Sequence, residues 1–388
     1  MKKSDSTPNG SGKCGSGSGC SHDGISRRDF LSTLGMSAAA AVIGSGCSKK
    51  NPVKPSGSTW TPPALPASST VAVQEVANYT RRDLHNALEQ MFNDLGGLTD
   101  IVKDKTVGLK VNLTGGTGSA DTDPPAIELF WTHPEVLKAA GEFIRDAGPK
   151  KIYIIEAIYD WQSYNNFGFD EAAQYLGATL IDLNAVSPYK AHVQRPVGGG
   201  WMIYENFTQN AILNDCDCIV SFPKAKQHQG GGVTHAMKNL VGSVPLSVYG
   251  PGEGSRQQFH RQRKYDNGNT DSNLRRIVVD LNMATKIHLA VTDAVKTMSG
   301  GEGPWIRGWG SATFNRLIAS KDVVAADSIA TKVIGFNPMA ADFEDTFGPS
   351  STTSGISTYG GINYLRLASE KGLGNYDLSK IEVKGVAV

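Results

Sequence analysis

From Ser69 onward, short apolar runs alternate with longer stretches in which apolar residues recur every three or four positions. The runs Thr70–Gln74, Val107–Asn112, Lys151–Glu156, Ala178–Leu183, Cys216–Phe222, Lys286–Thr292 and Lys380–Val386 are short and rich in Val, Ile, Leu and Ala. Polar or turn residues bound them, which predicts strands. The stretches Arg81–Asp94, Pro134–Asp146, Asp170–Tyr175, Thr234–Leu240, Asn273–Ala284, Asp322–Ile334 and Gly361–Lys371 predict helices, with Pro134 in a first turn and Gly148 just past that helix's end. Strands alternating with helices predict a three-layer α/β fold, a mostly parallel sheet with helices on both faces, as one large domain over residues 68–388.

In such a sheet ligands bind beyond the carboxyl ends of the strands. Four loops there carry more polar chemistry than a turn needs: Asn112 to Asp121, Glu156, the stretch from Pro223, and Asp293 followed by Met298-Ser-Gly-Gly-Glu-Gly-Pro304. In Pro223-Lys-Ala-Lys-Gln-His-Gln-Gly-Gly-Gly-Val-Thr234, extended geometry puts Lys224, Lys226 and His228 on one face. The glycines around Gly231 let backbone amides approach a ligand, and Thr234 is suited to cap a helix. His235 and Lys238 then lie one helical turn apart and can face together. Lysines and imidazoles so grouped suit a carboxylate, a phosphate, a nucleotide or a metal, while a solvated basic loop is the plain alternative. Lys110 and Asn112 share a face at a strand end, unless the lysine merely reaches to water. Asp293 can orient a histidine or bind a metal there, or cap a turn.

Other motifs read more simply. Gly115-Gly-Thr-Gly118 lacks the Lys-Ser/Thr of a P-loop and the spacing of a dinucleotide fingerprint. His133 belongs to a helix start, and His288 to an apolar strand as a core residue. The run Arg256-Gln-Gln-Phe-His260-Arg-Gln-Arg-Lys264 reads as a solvated charge run, though His260 can reach back over the loops.

The beginning of the chain reads as an address. Ser26-Arg27-Arg28-Asp29-Phe30-Leu31 is a twin-arginine pattern, and the uncharged segment from Leu31 to Gly46 is too short to span a membrane comfortably. Ile43-Gly-Ser-Gly-Cys47 resembles a lipoprotein processing site with one position out of register, so membrane attachment through a lipid on Cys47 stays open. Residues 1–47 are thus expected to be a signal that engages the twin-arginine export machinery. Residues 48–67 should form a disordered linker, and the protein should reside in the periplasm or anchored outside the cytoplasm.

Composition narrows the partners. With 38 basic and 37 acidic residues the chain carries a net charge of +1, so no global field favours nucleic acid. Of five cysteines only Cys216 and Cys218 fall in the expected domain; they read as buried apolar side chains or a thiolate pair, and cannot supply an iron–sulfur cluster.

Together, Lys110-x-Asn112, His133-Pro134, Phe222-Pro-Lys-Ala-Lys-Gln-His228, Lys238-Asn239-Leu-Val-Gly242, Asp293 with Gly300-Gly-Glu-Gly-Pro304, and the helix from Asp322 to Gly335 resemble the domain of unknown function 362 family. Many of its members carry a ferredoxin-like module that this chain lacks. His228 and Lys238, across a Gly-rich segment, are also similar to the arrangement in the amino-terminal domain of nickel-pincer lactate racemases. That second resemblance implies nickel held by His228, a pyridinium-type nucleotide cofactor tethered through Lys238, and His235 or His260 handling a proton or hydride. The second half of the chain does not match the racemase carboxy-terminal domain.

These readings place His228, Lys238, His235 and Asp293 as catalytic candidates. They place Lys110, Asn112, Lys224, Lys226, Gly231, Lys238 and Asn239 around a cofactor, and His228 on any metal. The function expected is an exported enzyme acting on a small anion, with a metal or nucleotide-derived cofactor as an option. A non-catalytic anion- or metal-binding lipoprotein and a redox partner subunit are the alternatives.

Overall fold

Strand side chains alternate between two cores. In a computed structural model describing residues 60–228, 230–250, 256–260, 273–340 and 362–388, Ile152 and Ile154 enter one apolar cluster while Tyr153 and Ile155 enter the other. Val71 and Val73 likewise oppose Ala72. A sheet apolar on both faces must be covered on both, and it is. The helices Arg81–Asp94, Pro134–Asp146 and Phe169–Leu176 pack on one face, and Leu274–Ala284, Val323–Val333 and Tyr364–Glu370 on the other. The three-layer α/β architecture is as expected.

The strands are β1 (Ser69–Glu75), β2 (Thr106–Lys110), β3 (Lys151–Glu156), β4 (Thr179–Asp182), β5 (His192–Pro196), β6 (Asn206–Asn210), β7 (Cys218–Ser221), β8 (Lys226–His228), β9 (Gly232–Thr234), β10 (Leu289–Ser299), β11 (Gly310–Ser320) and β12 (Ile381–Gly385). Eight form the main sheet in the order β12-β1-β11-β10-β7-β2-β3-β4. Only β11 runs against the rest of it. From β2 the chain steps outward to β3 and β4, then returns to place β7 on the other side of β2. That reversal between β2 and β7 opens a crevice at their carboxyl ends.

The strand pairs β5–β6 and β8–β9, and the long antiparallel β11, are additions to the expected elements. The strand expected over Lys286–Thr292 starts three residues later and runs to Ser299, so Asp293 lies inside it, opposite Leu317. Thr234 is the last residue of β9 and caps nothing; the one-turn helix Ala236–Asn239 is capped instead by Asp327, whose carboxylate accepts the amides of Ala236 at 2.8 Å and Met237 at 3.0 Å.

The twin-arginine pattern, Cys47 and residues 48–59 lie outside the described residues. From Trp60 on, the segment expected as linker lies along the domain. Lys371 Nζ sits 5.0 Å over the Trp60 ring, and Asn375 donates to the Pro66 carbonyl at 3.0 Å. No helix among the described residues is long and apolar enough to cross a membrane.

Candidate functional site

A cavity of about 450 Å³ occupies the crevice, between Asn112 beyond β2, Glu156 at the end of β3, Lys226 and His228 of β8, and Lys238 and Asn239 of the one-turn helix. Arg256 and His260 close one side, and Glu302 and Trp305, from the loop between β10 and β11, close another.

The lysines of this region have separate fates. Lys110 is fully buried, donating to Glu156 Oε2 at 2.8 Å and to the Val111 carbonyl at 2.6 Å. Burial pushes its amine down and the Glu156 carboxyl up, and their mutual attraction opposes both. Asn239 ties this pair to the rest: its amide donates to the Lys110 carbonyl at 3.1 Å and to Ser221 Oγ at 3.0 Å, and its oxygen accepts from Asn112 at 3.3 Å. Lys110 therefore shapes the floor of the cavity from beneath.

Lys224 does not share a face with Lys226. Bridged to Asp293, it is fully buried, donating to that carboxylate at 2.6 Å and to the Tyr79 hydroxyl at 2.8 Å, and Tyr79 in turn donates to Asp293 at 3.1 Å. The Tyr79 ring stacks on His133 at 3.6 Å, and His133 serves as the expected helix start by accepting the Glu135 amide. Asp293 and Lys224 thus satisfy each other away from the cavity lining, because β10 continues past the position where a strand end was expected.

His235 is also away from the lining. Its backbone is extended rather than helical, so the one-turn relation to Lys238 fails, and the buried ring has no hydrogen-bond partner for either nitrogen among the described residues. Burial pushes it down to about 3. His288, expected inside an apolar strand as a core residue, instead lies half-buried just before β10, where it accepts the Ile219 amide at 3.1 Å. Cys216 and Cys218 are free thiols pushed up to about 12 by burial, which leaves little thiolate near neutral pH.

Three basic side chains remain on the cavity. Lys226 is buried, with a bond of 2.7 Å to the Phe130 carbonyl, and burial, with Lys238 nearby, pushes its amine well below the usual lysine range. Arg256, read from sequence as part of a solvated run, is buried too. Its Nε and one terminal nitrogen donate to the carbonyls of Val244 at 3.1 Å and Ala157 at 2.8 Å, and it makes no ion pair among the described residues. Lys238 has no hydrogen-bond acceptor within reach among the described residues, and burial pushes its amine down to about 8. Gly231 makes room for this stem, since a Cβ there would lie 2.9 Å from Lys238 Cε.

Two imidazoles complete the wall. His228 Nδ1 accepts the amides of Gly230 and Gly231, both at 3.0 Å, so the neutral ring carries its proton on Nε2, which lies 3.8 Å from Glu302. Burial, with Lys238 and His260 nearby, keeps His228 neutral. His260 has the opposite arrangement: Nδ1 donates to the Arg256 carbonyl at 2.9 Å, leaving an Nε2 lone pair without a partner among the described residues. Burial pushes this ring down to about 4.

The His228 geometry does not fit a metal ligand. A ligating histidine donates its other N–H to an acceptor, whereas here the other nitrogen receives two N–H groups. Nor does any group of three or more His, Cys, Asp or Glu among the described residues converge as a metal site. Arg256, Trp305, Tyr159 and Ser119 carried no regular sequence signal; Trp305, a large ring in a Gly-rich loop after a strand, is the one that such a placement could have flagged.

A Synechocystis sp. thylakoid-associated protein is 24% identical over 278 residues, 69% of this chain and 75% of its own. A crystal structure of a Thermotoga maritima protein aligns at 16% identity with a TM-score of 0.35, over 66% of this chain and 59% of its own length, too remote to bear on function. The description of the domain of unknown function named DUF362 matches residues 107–332, which include every strand end around the cavity, and the chain belongs to that family.

Proposed function

We propose that the protein is an enzyme acting on a small anionic substrate held in this cavity. The observation that carries the reading is the assembly of Lys226, Lys238 and Arg256, none of them in an ion pair among the described residues though Glu302 acts on both lysines, beside two imidazoles held in opposite tautomers. The Arg256 guanidinium supplies the attraction, and the lysine amines add hydrogen-bond donors that a bound anion would keep protonated. His228 offers a fixed N–H to a developing oxyanion, and His260 a lone pair to a proton. Simple capture of an anion would use the cations and leave this matched donor and acceptor without a purpose, so catalysis is favoured over a binding lipoprotein.

The twin-arginine pattern and Cys47 support export and anchoring outside the cytoplasm. The thylakoid association of the Synechocystis relative agrees with work at a membrane surface.

Titration calorimetry with acetate, oxalate and phosphate tests the central reading. Binding of at least one of them, lost in Lys226→Met and Arg256→Gln, is expected. Absence of binding by all three, or binding indifferent to both substitutions, would remove the proposal. Membrane fractionation of the parent and Cys47→Ser tests the anchoring.

A further inference from the structure

Four lysines surround the crevice, and three have at least one hydrogen-bond acceptor. Lys110 has Glu156 and a carbonyl, Lys224 has Asp293 and Tyr79, and Lys226 has the Phe130 carbonyl. Lys238 alone of the four projects into the cavity with no acceptor in reach among the described residues. Its stem is held against Gly231, where even a Cβ would lie 3.0 Å from Cδ, so the amine is aimed rather than loose. Burial pushes its amine down, the Glu302 carboxylate opposes that, and the neighbouring charge of Arg256 adds to the fall, so the desolvated pocket and the adjacent cation together outweigh the carboxylate. Those are the two conditions that turn a lysine into a nucleophile, because both favour the free amine. The same neighbours, Lys226 and Arg256, are the seat for a carboxylate.

We propose that Lys238 forms a Schiff base with a short 2-oxo acid, the carboxylate held by Lys226 and Arg256 and the ketone carbon presented to Nζ. This rests on the small-anion reading above and names its substrate class. The amine lone pair adds to the carbonyl carbon while the C=O π pair moves to oxygen, where His228 Nε2–H donates a hydrogen bond without giving up its proton. His260 Nε2 carries one amine proton to that oxygen, giving the neutral carbinolamine. The nitrogen lone pair then expels the oxygen, which takes the second amine proton by the same route. The C–O bond is broken, one water leaves, and a C=N bond to Lys238 remains, with no oxidant or reductant needed.

Borohydride trapping decides the matter. The full-length protein is incubated with pyruvate, reduced with sodium borohydride, digested and mapped by mass spectrometry. One carboxyethyl group on Lys238 is expected, with Lys110, Lys224 and Lys226 unmodified, the adduct suppressed by excess oxalate and absent in Lys238→Arg. Calorimetry with oxalate runs alongside. Oxalate binding with no adduct at Lys238 overturns the Schiff base and leaves anion binding intact. An adduct that oxalate does not suppress, or one spread equally over exposed lysines, overturns it as well. Absence of oxalate binding and of adduct removes the small-anion reading together with this one.

Discussion

The rings of His228 and His260 lie 5.5 Å apart at an angle of 24°, and backbone groups on either side give them opposite protons. Two glycine amides point at one Nδ1, and a carbonyl points at the other. Nitrogen-detected NMR of the imidazoles near neutral pH should therefore show His228 as the Nε2–H form and His260 as the Nδ1–H form. A shared tautomer, or a protonated ring at pH 7, would contradict this geometry. Replacing His260 by Asn should abolish turnover and leave oxalate affinity within a few-fold.

Lys238 sets a pH dependence of definite sign. Its amine falls from 10.5 to about 8 on burial, so the folded protein bears the full cost of the buried charge below pH 8. That cost disappears as pH rises from 8 towards 10.5, because the unfolded chain is still charged there and the folded one is not. A shift of this size corresponds to on the order of 3 kcal/mol. Lys238→Met should thus gain stability in urea denaturation at pH 7 by up to about that amount, and close to nothing near pH 10.5. Equal gains at both would show that burial does not depress the amine. Anion affinity of the parent should fall as pH rises through 8.

The buried pair of Lys110 and Glu156 is expected to tolerate joint replacement better than single replacement. Removing one partner leaves the other charge unpaired in the interior, at a cost of about 3–5 kcal/mol, whereas an apolar pair of similar volume is often neutral. Denaturation of Lys110→Met, Glu156→Leu and the double variant forms the cycle; additive losses would mean that the two side chains do not depend on each other. Gly242→Ala tests the same spot, since its Cβ would collide with Glu156 Oε1 and lie 2.6 Å from Lys110 Nζ.

The cavity mouth depends on Gly115. Its φ of 86° disfavours any side chain, and a Cβ there would meet the half-exposed ring of Trp305 at 2.9 Å. Gly115→Ala should displace that ring, shift its fluorescence relative to a Trp305→Phe reference, and weaken oxalate binding several-fold. Unchanged emission would mean that the two loops do not touch in solution.

The helices Arg81–Asp94 and Pro134–Asp146 were legible to the residue, because Thr80 and His133 supply ready caps and the apolar faces are regular. The strands facing two cores were legible for the same reason. Asn112, Lys226, His228, Lys238 and Asn239 reach the cavity as expected, since the crevice rule depends on strand order and not on side-chain detail. His235, Asp293 and Lys224 did not, and each failure is local. One residue of extended backbone turns His235 away, and seven residues of further strand past Thr292 give Asp293 and Lys224 to each other. Arg256 shows the reverse. A basic run suggests water, yet two carbonyls far apart in sequence draw this guanidinium inside.

The helix that aims Lys238 is a single turn of four residues, too short to persist alone in water. Its free amides are held by Asp327, which lies 91 and 90 residues further along the chain. A chain ending before Val323 would contain every residue that lines the cavity, up to Trp305, and still lack the group that sets the amine's direction. The direction of this amine is therefore set late in folding, when the segment from Val323 onward has docked, and a chain that stops short of it holds Lys238 without that support.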